Sequence, residues 1–150
     1  MRDNAGFTLI EVACVLAVVA LVASLALPAQ PRGTSSARLE GYALQIAALL
    51  KSDRIAAIRR GTSIATRLDA DARTVRSGAS DATVAVPSDV VFDALLAERC
   101  GDRRVGSTID FLPSGESCGG SIAIARQGLE FQVRVNWLTG AVEIVSAAKS

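Results

Sequence analysis

The stretch Gly6-Phe7-Thr8-Leu9-Ile10-Glu11-Val12 decides how this chain is read. It opens an apolar run in which, from Val12 to Leu27, only Ser24 is polar and nothing is charged. Phe7 to Leu27 would make roughly 31 Å of helix at 1.5 Å per residue, enough to cross a hydrocarbon core about 30 Å thick. Yet Glu11 lies one turn from its start. A lone acid at a bilayer centre costs on the order of 2.5–3.5 kcal/mol on insertion scales. A segment that carries one needs a reason for it.

The rest of the chain reads as one domain with charges throughout, so 150 residues make a domain plus an apolar appendage. The net charge is +1, so any polyanion site would have to come from a local cluster. There is no histidine, which removes histidine-assisted nucleophiles and histidine metal sites. Aromatic residues make up 4%, which argues against stacking platforms for single-stranded nucleic acid. Of the three cysteines, Cys14 falls in the apolar run as a small side chain facing lipid or another helix. Cys100 and Cys118 lie in Gly-rich surroundings. If that part reaches an oxidising compartment they form a disulfide, contributing about 3 kcal/mol through loop closure; otherwise they are two thiols. Two cysteines alone complete no metal site, and no cofactor motif is present.

Residues 28–35, with Pro28, Pro31 and Gly33, read as a hinge, because proline interrupts helices and glycine loosens the backbone. Residues 36–60 read as an amphipathic helix, with Leu39, Ala43, Ile46, Leu50 and Ala57 on one face and Gly61 as its stop. Asp53 interrupts that stripe, either at its edge or paired with an arginine such as Arg54; Ile55 points away. From residue 62 to 146 the pattern changes to short strands with turns between them, the signature of antiparallel hairpins. Strand candidates are 63–68, 74–76, 83–86, 90–92, 108–112, 121–126, 130–137 and 141–146, with 94–106 as an irregular loop. Phe111, Ile122, Ile124, Phe131, Val133, Val135, Val142 and Ile144 are the candidate inward residues. The fold class is α+β, a long helix packed on antiparallel β hairpins.

Three readings of the N-terminus compete. A cleaved secretory signal fits the small residues Ser24-Leu25-Ala26 but leaves Glu11 inside the apolar core behind a leader in which Asp3 offsets Arg2. A plain membrane anchor leaves Glu11 unexplained. The third uses every residue: the segment resembles the start of a type IV pilin or pseudopilin. The resemblance implies a leader over residues 1–6, cleavage by a prepilin peptidase after Gly6, methylation of the Phe7 amine, and a membrane and assembly helix over 7–27. It also implies that Glu11 meets the Phe7 amine of an adjacent subunit. A buried amine and a buried carboxylate are each costly alone and offset each other when paired, which fixes register.

The distal half narrows the resemblance. Ile109-Asp110-Phe111-Leu112-Pro113-Ser114-Gly115, Cys118-Gly119-Gly120-Ser121-Ile122 and Val133 to Val142, with Thr139-Gly140 in its turn, resemble the minor pseudopilin H group of type II secretion systems, the GspH/FimT-like family. The implied fold is pilin-like: one long helix, half transmembrane and half amphipathic, with residues 36–150 as the periplasmic domain. The implied protein is a single-pass inner-membrane subunit that assembles near the tip of a periplasmic pseudopilus. Its implied partners are other minor and major pseudopilins, the prepilin peptidase, the inner-membrane assembly platform, secreted substrates and the secretin. The alternative is a minor pilin of a type IV pilus, acting in initiation, adhesion or DNA uptake. Arg99, Arg103 and Arg104 could then meet phosphate, or form a solvated loop together with Glu98 and Asp102. An enzyme is disfavoured, since Ser114 to Gly120 has no base partner, no Gly-x-Ser-x-Gly elbow and no phosphate-loop ending. A free-standing periplasmic binding domain would require the secretory-signal reading.

Overall fold

A computed structural model describes residues 8–26 and 33–148. It divides into two units, 1–32 and 33–150. The first holds α1, Leu9–Ala26.

The second unit begins with α2, Ser36–Arg60. Ser35 caps it, its side chain accepting from the Arg38 N–H at 3.3 Å, and Gly61 ends it in the left-handed conformation at φ 62°. Ten strands follow: β1 Ile64–Asp69, β2 Thr74–Arg76, β3 Thr83–Ala85, β4 Val91–Leu96, β5 Arg99–Cys100, β6 Arg103–Arg104, β7 Thr108–Phe111, β8 Gly120–Arg126, β9 Leu129–Val135 and β10 Val142–Ala148. They form two four-stranded sheets, in the orders β3-β2-β1-β7 and β10-β9-β8-β4, and a small β5-β6 hairpin. Every pairing is antiparallel.

α2 packs on strands of both sheets. Its buried face carries Leu39, Ala43, Ile46, Ala47, Leu49, Leu50 and Ala57. These meet Ile64, Leu68, Val75 and Ile109 from the first sheet and Ile122, Ile124, Phe131 and Val133 from the second. Strand alternation does the sorting: β1 buries Ile64, Thr66 and Leu68 and exposes the residues between them. Of the expected inward residues, Phe111, Ile122, Ile124, Phe131, Val133, Val135 and Val142 are buried, whereas Ile144 is half-buried.

Two expectations are corrected. Residues 94–106 are not an irregular loop: β4 runs on to Leu96, and the β5-β6 hairpin follows. Asp53 is neither at the stripe's edge nor paired with Arg54. It is fully buried at 0% exposure and accepts from the Thr66 hydroxyl at 2.6 Å, the Gly78 N–H at 2.9 Å and the Ser77 hydroxyl. A buried polar group without partners is costly, so this carboxylate and its donors hold α2, β1 and the segment after β2 in one arrangement. Arg54 turns elsewhere: its Nε donates to the Gly115 carbonyl at 2.9 Å and its Nη2 to the Thr139 carbonyl at 2.9 Å.

Replacing Asp53 with alanine leaves three donors without an acceptor. We expect a loss of about 2–4 kcal/mol in urea unfolding. A loss below about 0.5 kcal/mol, as for an ordinary surface substitution, would contradict this role.

Candidate functional site

Glu11 sits in the first turn of α1. Its neighbours Leu9 and Ile10 are 92% and 73% exposed, and the apolar side chains of this helix from Leu9 to Val22 are exposed all along it. Exposure on every side is what a helix shows when its solvent is lipid or other helices. Gly6 and Phe7, the expected cleavage site and the amine expected to meet Glu11, lie outside the described residues. So do residues 28–32 of the expected hinge. Among the described residues no helix is long and apolar enough to cross a membrane. The 18 residues of α1 rise roughly 27 Å, and Phe7 and Leu27, the ends of the expected span, are not among those described. Cys14 is a free, exposed thiol on α1.

The start of the second unit is held by a cluster that no sequence pattern announces. Asp89, between β3 and β4, accepts from the Thr34 N–H at 2.7 Å and the Thr34 hydroxyl at 3.1 Å. Arg126 at the end of β8 lies 3.1 Å from the Asp89 carboxylate and also donates to the Thr34 carbonyl. These contacts span 55 and 92 residues of sequence, beyond the reach of any local pattern.

The segments that carry the family resemblance converge on α2. The Gly115 turn after β7 and the Thr139-Gly140 turn between β9 and β10 both present carbonyls to Arg54. Gly140 adopts φ 64°, and a Cβ there would collide with the Gly115 carbonyl oxygen and with Arg54. Cys100 and Cys118 are joined in a disulfide with their Cα atoms 5.4 Å apart. Beside it, Arg103 pairs with the buried Asp110 at 2.9 Å, and Asp110 also accepts from the Thr108 hydroxyl at 2.7 Å. The β5-β6 hairpin is thus tied to β7 and its following loop by one covalent bond and one ion pair. Of the three arginines read as a possible phosphate cluster, Arg103 is engaged in this way, whereas Arg99 and Arg104 face each other across the hairpin, exposed.

Residues 1–27 match the family described as the prokaryotic N-terminal methylation motif. Over 142 residues, 94% of the chain, it is 30% identical to type II secretion system protein H of Xanthomonas campestris pv. campestris, covering 83% of that protein. The chain belongs to the type II secretion system protein H family. Solved structures agree on the pilin-like fold. The minor pseudopilin EpsH from the type 2 secretion system of Vibrio cholerae matches with a TM-score of 0.55 at 18% identity, over 72% of this chain and 93% of that one. The type IV minor pilin FimU of Pseudomonas aeruginosa matches with a TM-score of 0.51 at 16% identity, over 71% of this chain and 87% of that one. These two likenesses speak to fold.

The Thr34–Asp89–Arg126 cluster has a pH signature. The Thr34 N–H is the largest cause holding the Asp89 carboxyl below its ordinary value; burial opposes it, and the Thr34 hydroxyl and the Arg126 charge lower it further. A carboxyl lowered on folding stabilises fully above its unfolded value of about 3.9 and loses that contribution as pH falls through the folded value. The stability gap between wild type and Asp89→Asn should therefore be constant near neutral pH and shrink below about pH 4. Urea midpoints across that range check it; a gap unchanged by acid would contradict it.

Proposed function

We propose that this chain is a minor pseudopilin, a structural subunit near the tip of a periplasmic pseudopilus that supports type II secretion. The observation that carries the reading is the membership in the protein H family together with a methylation-type N-terminus over residues 1–27. In this reading a prepilin peptidase cuts after Gly6 and methylates the new Phe7 amine. The apolar helix holds the chain in the inner membrane with residues 36–150 in the periplasm, and residues 28–35 link the two.

Glu11 then has its purpose. A subunit leaving the bilayer takes its carboxylate into a bundle of apolar helices, where a charge is tolerated only beside its opposite. The Phe7 amine of an adjacent subunit supplies that opposite charge and sets the axial position of each subunit against the next. The chain carries out no chemistry of its own in this role; it is the substrate of the peptidase and a partner of other pseudopilins and of the assembly platform. The likeness to FimU concerns fold and leaves the pilus reading without a specific observation in its favour.

Intact mass of the membrane-extracted protein tests the processing, combined with filament recovery for Glu11→Leu. We expect a mature chain lacking residues 1–6 and carrying one added methyl group, and recovery of the variant in filaments reduced about tenfold or more while its second unit stays folded, since losing one partner of a buried pair costs several kcal/mol. A mature chain starting after Ala26, an uncut chain, or undiminished recovery of the variant would overturn the reading.

A further inference from the structure

Beyond the N-terminal helix, one surface of the second unit is built for contact. A groove of about 600 Å³ opens where the ends of β4, β8 and β9 meet. Its walls include Leu95 and Trp137, which are 78% and 67% exposed. Between them the floor contains Gly119, Gly120 and Ser121. Gly119 adopts φ 76°, and a Cβ on it would lie 3.1 Å from the Trp137 Cβ, so no larger side chain fills the floor at that point. The result is a shallow, open depression with apolar sides.

Arg134 is the only charged residue lining the groove among the described residues. Its Nε donates to the Gln132 side-chain oxygen at 2.6 Å. Glu143 is its register partner on β10, yet it is not among the lining residues and makes no ion pair with Arg134 among the described residues. The rest of the guanidinium therefore carries no protein partner there. Tryptophan and arginine are the residue types most enriched at the energetic centres of protein interfaces, in pockets ringed by weaker contacts. A guanidinium beside an apolar slot is complementary to an apolar side chain with a carboxylate next to it.

We infer that this groove receives a segment of a neighbouring pseudopilin that presents an apolar side chain beside a carboxylate, the apolar group lodging between Leu95 and Trp137 and the carboxylate meeting Arg134. The inference rests on the pseudopilin reading and adds to it a second contact, separate from Glu11. Both walls and the cation are exposed, so they can be changed without disturbing the core.

Trp137 is the single tryptophan of the chain, which makes it a reporter. The full chain, labelled with 5-fluorotryptophan and held in detergent, is mixed in turn with each purified pseudopilin of the same secretion system, and the one fluorine resonance is followed. With one of them the resonance should shift, and Arg134→Glu and Leu95→Gln should each weaken that binding about tenfold or more. A complex that sediments together while the resonance stays put overturns the groove and leaves the pseudopilin reading intact. So does an Arg134→Glu chain that binds as well as wild type, or a shift produced by raising the concentration of this chain alone, which would make a second copy the occupant. If the wild-type chain binds none of them by either measure, the groove and the pseudopilin reading fall together.

Discussion

One carboxylate, shut away from water, holds the helix of the second unit to its first sheet. Asp53 draws its partners from β1 and from the segment after β2, 13 and 25 residues along the chain. Its neighbour Arg54, about 100° further round the helix, does the corresponding work on the other side by binding carbonyls from the turn after β7 and from the β9-β10 turn. Two consecutive residues thus tie α2 to both sheets. Apolar burial supplies most of the stabilisation but little direction, since it is roughly proportional to area and indifferent to register. The two polar anchors are directional. They fix where along the helix each sheet lies, and so where the turns around Gly115 and Gly140 come together.

Much of this was legible in the sequence. The 3.6-residue stripe from Leu39 to Ala57 locates α2, and alternation locates β1, β8, β9 and β10, because one face of each element is buried against a single core; β7 is buried on both faces. The segments around Gly115, Cys118 and Thr139-Gly140 stand out by resemblance, and the structure gives a reason at Gly140, where a Cβ would collide with the Gly115 carbonyl oxygen. What could not be read was whatever depends on partners far away in sequence. Asp53 looked like a blemish on an apolar stripe because a wheel projection shows where a side chain points and nothing of the donors awaiting it. Thr66 is buried for the same hidden reason. The continuation of β4 leaves no alternation to read, because its outward residues Val91 and Leu95 are apolar as well.

The two units answer different physical demands. α1 exposes its apolar side chains from Leu9 to Val22, with Glu11 among them. The second unit closes its own core and leaves its apolar exposure in separate places, among them the groove between Leu95 and Trp137. In the proposed role the helix unit would supply the packing of a filament, and the sheet surface the contacts to particular neighbours. Thr34, Asp89 and Arg126 clamp the start of the second unit to the connection between β3 and β4 and to the end of β8.

The most direct measurement of the anchoring role is a double-mutant cycle between Asp53→Ala and Thr66→Val, read by equilibrium unfolding. If the buried carboxylate and its hydroxyl partner act as one device, the two losses overlap, with an interaction energy of about 1 kcal/mol or more. Losses that add to within about 0.3–0.5 kcal/mol, as for distant independent sites, would show that Asp53 does not hold α2 through β1.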